Sequence, residues 1–208
     1  MKNKDLKKRI IEISYNHKLS HLGSVLTAVD IIDEIFRRKK PEERFLLSCG
    51  HAGLAYYVVL EKYGGKKAEA IYEHHGTHPD RCKNCRIDCS TGSLGHGIAI
   101  AVGMALAGRN KNVYCLISDG ECGEGSVTEA LRVAVEQKLT NLFIYVNING
   151  YSAYRRVATL TFPKGSKRLN LFLVHTNYKE YPFLKGLNAH YCTLSKEDYE
   201  KAIRRYSL

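Results

Sequence analysis

Apolar positions near the N-terminus repeat with the spacing of amphipathic helices. The leucine and isoleucine positions in residues 6–13 predict a first helix that ends near His17. A second stripe over 25–36 predicts a helix that Ser24 can cap and that ends in the basic run 37–40. Lysine and arginine suit this end because the C-terminus of a helix carries partial negative charge. We therefore expect two helices before the first strand.

Short apolar runs separated by helical patterns predict a sheet in the rest of the chain. We expect strands at 44–48, 113–117, 142–146 and 169–174. We expect further helices at 53–63, 95–106, 128–137 and 196–206, the last with Ser195 and Asp198 at capping-box spacing. Residues 74–93 are rich in His, Cys, Pro, Gly and Ser and predict a functional loop. Apolar strands joined by helices are typical of an α/β fold, a parallel sheet with helices on both faces.

Length and composition fit a single globular domain over residues 1–208. The longest run of glycine and apolar residues, 97–108, is twelve residues long, well short of the roughly 20 that span a bilayer. The first ten residues are basic but lack the apolar core of a signal peptide. Seven cysteines form no evident disulfide framework, so we expect free thiols and a cytoplasmic protein without a membrane anchor.

The net charge of +11 is unevenly distributed. Residues 51–150 carry 10 basic and 10 acidic side chains, whereas 151–208 carry 11 basic and 4 acidic ones. Such an excess suits nucleic acid, a phosphorylated small molecule or an acidic partner, and charge alone does not choose among them. No aromatic and basic RNA-binding motif accompanies it, so we do not expect nucleic acid.

Two polar dipeptides follow neighbouring strands of the predicted sheet. Asp119-Gly120 comes after the strand 113–117, and Asn149-Gly150 comes shortly after 142–146. Ligands bind beyond the carboxyl ends of parallel strands, and carboxylate and amide oxygens suit Mg²⁺ with a diphosphate. The alternative is that both dipeptides are only turns.

The motifs around these dipeptides resemble those of the transketolase family. SCGHAG (48–53), STGSLGHGIAIAVGMALA (90–107), SDGECGEGSVTEAL (118–131) and NGYS (149–152) are similar to its blocks, in its order, and HKLSHLG (17–23) and THPD (77–80) extend the match. The resemblance covers residues 5–155 and is to the N-terminal, diphosphate-binding half of an enzyme made as two chains. It implies the thiamine-diphosphate-binding fold of the diphosphate type, here with a shortened C-terminal part.

The resemblance also implies roles for single residues. Asp119, the Asn149 side chain and the Tyr151 carbonyl would hold Mg²⁺, or Ca²⁺ or Mn²⁺ in its place. The other implied cofactor-binding residues are His51, Gly92, Ser93, Leu94, Gly120 and Glu124, the last at a subunit contact. The implied catalytic residues are His21, His78 and His190, which would face the reacting carbon and the donor sugar. His96 stands where the family usually has glutamine, so it is either functional or a hydrogen-bonding residue at the start of a helix.

Three cysteines form a second candidate site. Cys82 and Cys85 make a CxxC pair, and Cys89, His74 or His75 could complete a structural zinc site. The alternative is that these cysteines are inert or redox-sensitive thiols and that His74 and His75 are exposed polar residues.

Several positions depart from the family pattern. Ser118 replaces a glycine, Leu22 replaces a proline, and the segment 155–168 is short and basic where the family has a further helix and strand. In this family the catalytic glutamate comes from a pyrimidine-binding domain, which 208 residues do not include. The resemblance therefore implies a chain that is inactive alone and that pairs with a C-terminal, pyrimidine-binding subunit in a heterotetramer.

The function implied is transfer of a two-carbon ketol unit between sugar phosphates with thiamine diphosphate. Two alternatives stay open. One is a different reaction of the same cofactor, such as 2-oxoacid decarboxylation or acyloin transfer, and the other is a non-catalytic binding module.

Overall fold

The computed structural model describes residues 3–206, which form four strands and eight α-helices. The strands are β1 (Arg44–Leu47), β2 (Val113–Ser118), β3 (Leu142–Ile148) and β4 (Asn170–His175). The helices are α1 (Lys4–Asn16), α2 (Leu22–Arg38), α3 (Gly53–Lys62), α4 (Ala68–His75), α5 (His96–Ala107), α6 (Gly125–Glu136), α7 (Asn188–Tyr191) and α8 (Lys196–Arg204).

The four strands pair in the order β1-β2-β3-β4, and every pair is parallel. Side chains alternate along each strand, so neighbouring positions face opposite sides of the sheet. Phe45 and Leu47 of β1 pack with the core that contains α1, α2 and α3, whereas Leu46 packs with the core that contains α5 and α6. The predicted α/β architecture with helices on both faces is confirmed.

The start of α2 differs from the prediction. Ser24 does not cap this helix, because α2 begins at Leu22 and His21 occupies the position before it. His21 adopts the left-handed conformation, with φ 64°, and makes no side-chain cap. The polar run at 20–24 suggested a serine cap, but the chain turns two residues earlier to bring His21 to the end of the sheet.

The region between α3 and α5 holds one helix that the sequence did not predict. α4 covers Ala68–His75, so His74 and His75 lie on a helix and the predicted loop begins only after it. Apolar periodicity is weak there because Ala68 and Ile71 alone are buried. The loop that follows, 76–92, returns to the sheet through the bonds of Thr91 to the backbone of Pro79 and Leu47.

The C-terminal third contains few regular elements, as the sequence predicted. Between β3 and β4, the chain forms a bridge from Tyr151 to Arg156 and a short 3₁₀ turn at Ser166–Arg168. The last predicted strand is the edge strand β4, and Ser195 caps α8 by accepting from the Asp198 N–H at 3.1 Å. Within 3–206, no helix is both long enough and apolar enough to cross a membrane.

Candidate functional site

A pocket of about 180 Å³ opens at the carboxyl ends of the strands. Four loops build it, because each strand delivers its following segment to the same edge of a parallel sheet. Eight of the predicted site residues line it, namely His21, His51, His78, Gly92, Leu94, Gly120, Tyr151 and His190. Ser24, Ser118, Ser152 and Ala153 complete the lining, and none of these four was a predicted site residue.

Asp119 lies at the end of β2, against the turn that follows β3. Its carboxylate accepts from the Gly120 N–H at 2.9 Å and from the Gly150 N–H at 2.7 Å, and the side chain is 1% exposed. Asn149 accepts from the Tyr151 N–H at 3.0 Å, which holds its amide in the same turn. The two predicted dipeptides therefore meet, as expected for consecutive strands of a parallel sheet.

Three imidazoles cluster in the pocket. The ring centroids of His21 and His190 are 4.2 Å apart, and each of these rings lies 5.7 Å from His51. The His21 N–H donates to the His190 carbonyl at 2.8 Å, which joins the start of α2 to α7. His190 had the weakest sequence pattern of the predicted site residues, and the structure brings it into this cluster.

Burial sets the protonation state of the cluster. Desolvation, with a smaller effect from His190 and His78, lowers the pKa of His21 to about 4. Desolvation, with smaller effects from His21, His190 and His78, lowers the pKa of His51 to about 3. Burial also lowers the pKa of His190. All three rings are therefore neutral at pH 7, so each combines an N–H donor with a nitrogen acceptor.

These lowered pKa values predict a loss of stability in mild acid. The unfolded chain takes up protons on His21 and His51 near pH 6.5, whereas the folded chain does so only near pH 4 and 3. The stability is therefore full above pH 6.5 and falls as the pH decreases, by up to about 1.4 kcal/mol per pH unit for each histidine. Urea unfolding of the wild type between pH 7.5 and pH 4.5 measures this slope.

The matched variants separate these histidines from the other titrating groups. His21→Asn with His51→Gln should flatten the slope, because neither replacement titrates in this range. His74→Gln, at an exposed position of α4, should leave the slope unchanged. An equal slope in the wild type and in the double variant would contradict the assignment.

Gly50 allows the loop after β1 to approach the loop that carries Gly92. A Cβ at position 50 would lie 2.6 Å from the Thr91 carbonyl oxygen and 2.9 Å from the Gly92 nitrogen, both backbone atoms. No real Cβ tolerates such distances. The glycine is therefore required for the spacing between His51 and Gly92 across the pocket.

Gly50→Ala should destabilise the fold by about 1 to 3 kcal/mol, because the backbone must shift to admit the methyl group. Chemical denaturation measures the change. Gly103→Ala is the control: this exposed glycine lies inside α5, and a Cβ added there would meet no atom within 4 Å, so alanine should add about 0.5 to 1 kcal/mol of stability. Equal effects of the two variants would refute the steric argument.

The match to a family of known proteins agrees with this geometry. Residues 11–170 match the family model described as "Transketolase, thiamine diphosphate binding domain". The chain belongs to the transketolase family. The matched range includes every residue of the pocket described above except His190, so the family domain contributes nearly the whole site.

Relatives within the transketolase family include subunits of enzymes made as separate chains. Over 163 residues the chain is 33% identical to one named subunit of the apulose-4-phosphate transketolase of Phocaeicola vulgatus, covering 69% of this chain and 58% of that protein. It is 34% identical over 151 residues to the "6-deoxy-6-sulfo-D-fructose transketolase subunit SqwG" of a Clostridium species, covering 63% and 55%. The chain thus spans little more than half the length of these relatives.

Solved transketolases share the fold. A transketolase variant from Pichia stipitis superposes with a TM-score of 0.65 at 23% identity, over 79% of this chain and 29% of that one. The enzyme from Leishmania mexicana gives 0.61 at 23% identity, over 72% and 28%. The four-stranded parallel sheet with its helices is therefore the thiamine-diphosphate-binding fold of transketolases.

Some predicted site residues of this transketolase-family chain lie outside the pocket lining. Ser93 is exposed at the turn before α5, and its carbonyl accepts from the His96 N–H at 3.2 Å. His96 is exposed as the first residue of that helix. Glu124 precedes α6, and Asn149 borders a smaller cleft beside Tyr151.

Glu121 is the buried residue that sequence reasoning missed. Its side chain is completely buried and accepts from the Ser48 hydroxyl at 2.7 Å, the Gly95 N–H at 2.8 Å and the Ser118 N–H at 3.0 Å. Burial raises the pKa of this carboxyl. One carboxylate thereby ties the ends of β1 and β2 to the start of α5. An acidic residue directly after an Asp-Gly turn was its only signal.

The cysteine-rich segment forms a separate cluster. The ligand atoms of His75, Cys82 and Cys85 lie within 4.8 Å of one another. Cys89 is not in this group, because its side chain packs in the core beneath α5 and α6. His75 stands in the place that the sequence pattern suggested for Cys89.

Proposed function

We propose that this chain is the diphosphate-binding subunit of a transketolase that moves a two-carbon ketol unit between sugar phosphates. The observation that carries the proposal is the meeting of a buried carboxylate, Asp119, with a cluster of neutral imidazoles at the carboxyl edge of the sheet. Carboxylate chemistry suits a metal diphosphate, and imidazole chemistry suits sugar hydroxyls. Residues 1–208 would act as one domain in this role.

The donor set at Asp119 fits Mg²⁺. Burial raises the pKa of the Asp119 carboxyl, which means that its negative charge is costly where it stands. No ion pair among residues 3–206 involves this carboxylate; its partners there are backbone N–H groups. A divalent cation would offset that cost, with the Asn149 amide and the Tyr151 carbonyl as further oxygen ligands. Ca²⁺ or Mn²⁺ would suit the same oxygen ligands.

Gly120 and His51 would bind the diphosphate. A Cβ on Gly120 would lie 3.1 Å from that of Ser152, so the bare backbone here leaves room for a ligand. Gly92 and Leu94 line the opposite side of the pocket, next to the ring of His78. Thiamine diphosphate, when bound, supplies the carbon nucleophile for this class of reaction.

The histidines would bind the sugar and move its protons. The Ser20 hydroxyl lies 2.7 Å from Nδ1 of His21 and can donate to it or accept from it. Nε2 of His21 can therefore accept a proton from a substrate hydroxyl or donate one, according to the tautomer. His190, in edge-to-face contact with His21, and His78 would position the hydroxyls of the donor sugar.

A second subunit would complete the site. The relatives in Phocaeicola and Clostridium bear the names of transketolase subunits, which supports a separate partner here. That partner would supply the pyrimidine-binding domain and the catalytic glutamate, in an assembly of two copies of each chain. Glu124 would lie at the subunit contact. All seven cysteines are free thiols, which supports a cytoplasmic location.

An assay of ketol transfer tests the proposal. The purified chain is mixed with thiamine diphosphate, Mg²⁺, a ketose phosphate and an aldose phosphate, with and without a pyrimidine-domain subunit. Transfer is expected only with both chains. Transfer by the chain alone would exclude the need for a partner. Release of carbon dioxide from a 2-oxoacid by the assembled pair, without ketol transfer, would replace the proposed reaction.

A further inference from the structure

We propose that His75, Cys82 and Cys85 form a zinc site that fixes the loop carrying His78. The Nδ1 or Nε2 atom of the histidine and the two sulfurs all lie within 4.8 Å of one another. Three ligands around a tetrahedral zinc ion, with metal distances near 2.0 to 2.3 Å, lie about 3.3 to 4 Å apart. The cluster needs only a small contraction to bind the metal.

The CxxC segment already has the backbone of a thiolate-binding turn. Residues Lys83–Cys85 form one 3₁₀ turn, and the Cys85 N–H donates to the Cys82 sulfur at 3.3 Å. Arg86 follows in the left-handed conformation, and Cys82 pairs with Ile87 through two N–H···O bonds of 2.9 Å. An N–H aimed at sulfur stabilises the thiolate that a metal requires.

The histidine reaches this turn from a different element. His75 is the last residue of α4, and its Nε2 lies 3.4 Å from the Cys85 sulfur. Cys85 is buried, whereas Cys82 and His75 are partly exposed, so solvent can reach the cluster from one side. Two sulfurs and one imidazole are the donors that Zn²⁺ prefers over Mg²⁺ or Ca²⁺.

An orphaned polar atom beside the cluster supports a bound ion. The side chain of Tyr57 is fully buried, and within the part of the chain that the structure describes its hydroxyl has no hydrogen-bond partner. The ring of Tyr57 lies 6.5 Å from that of His75. Buried hydroxyls are nearly always paired, and a water on the fourth position of the zinc ion would provide the missing partner.

The position of the ligands gives the site its consequence. His75 and Cys82 stand on either side of His78 in the chain, and the carbonyl of Thr77 packs so closely on Gly53 that a Cβ there would lie 2.3 Å from it. A metal between His75 and Cys82 would close this segment into a short loop with both ends fixed. That effect on His78 rests on the proposed function, whereas the metal site itself does not.

Metal analysis of the intact chain tests the site without any activity measurement. The chain, purified with Zn²⁺ present and dialysed against a weak chelator, should retain about one zinc ion per molecule. Replacement by Co²⁺ should give the intense near-ultraviolet band of thiolate-to-cobalt charge transfer. Failure of the wild type to retain zinc, or a cobalt spectrum without that band, would overturn the proposal.

Matched variants identify the ligands. Cys82→Ser with Cys85→Ser should abolish zinc retention, and His75→Ala should weaken zinc binding by about 10- to 100-fold. Cys89→Ser, four positions after Cys85 and outside the cluster, should retain the full equivalent. Equal loss in Cys89→Ser and in the double variant would overturn the ligand assignment. The cobalt spectrum of the wild type keeps the test valid if the double variant does not fold.

Discussion

Asp119→Ala will weaken Mg²⁺-dependent binding of thiamine diphosphate by at least about 100-fold, since a divalent cation held by few protein ligands depends on its carboxylate. The variant removes the charge that the turn after β3 holds in place through the Gly150 N–H. Calorimetric titration of the cofactor in the presence of Mg²⁺, with the partner subunit included, measures the change. This experiment separates loss of the metal site from loss of substrate contacts.

Two further variants make the result interpretable. Asp119→Asn keeps the shape of the side chain and an oxygen for the backbone N–H groups, so it should fold like the wild type and still bind the cofactor poorly. Glu197→Ala removes an exposed carboxylate that pairs only with Lys201 on α8, and it should bind normally. Wild-type affinity in Asp119→Asn would show that the carboxylate charge is not needed and would contradict the magnesium assignment.

Glu121→Ala is expected to lower the free energy of unfolding by about 3 to 5 kcal/mol, because it leaves buried donors without an acceptor. The donors are the Ser48 hydroxyl and the N–H groups of Gly95 and Ser118, which come from three segments of the pocket wall. Urea denaturation at pH 7.5 gives the value. Since the same donors set the spacing of the loops, the pocket should also loosen.

The comparison with other carboxylates on the chain tests the cause. Glu121→Gln retains one acceptor oxygen and should lose about half as much stability. Glu129→Ala removes an exposed carboxylate on α6 that pairs with Arg132, and it should change stability by less than about 0.5 kcal/mol. A loss below about 1 kcal/mol for Glu121→Ala would mean that this carboxylate does not hold the loops together.

The sheet and the metal end of the pocket follow from local sequence. Buried parallel strands are apolar along their whole length, so the four strands stood out from their surroundings. The Asp119 and Asn149 turns followed two of those strands directly. Because strand ends meet at one edge, their proximity needed no tertiary information beyond the topology.

The remaining features depend on contacts between distant segments. The role of Glu121 arises from donors on Ser48 and Gly95, which no periodicity connects to it. The sequence pattern favoured Cys89 over His75 beside the CxxC pair, because spacing along the chain does not reveal that α4 ends against the turn. α4 itself was missed since its buried face is only two residues wide. Such features become visible only when the packing is known.

The left-handed backbone of His21 sets stability and activity against each other. A residue with a Cβ loses on the order of 1 kcal/mol in this conformation, and glycine does not. A random library selected only for heat resistance should therefore enrich glycine or asparagine at position 21. Selection for ketol transfer should restore the imidazole there. Sequence drift at this one position would then distinguish lineages that kept the chemistry from lineages that kept only the fold.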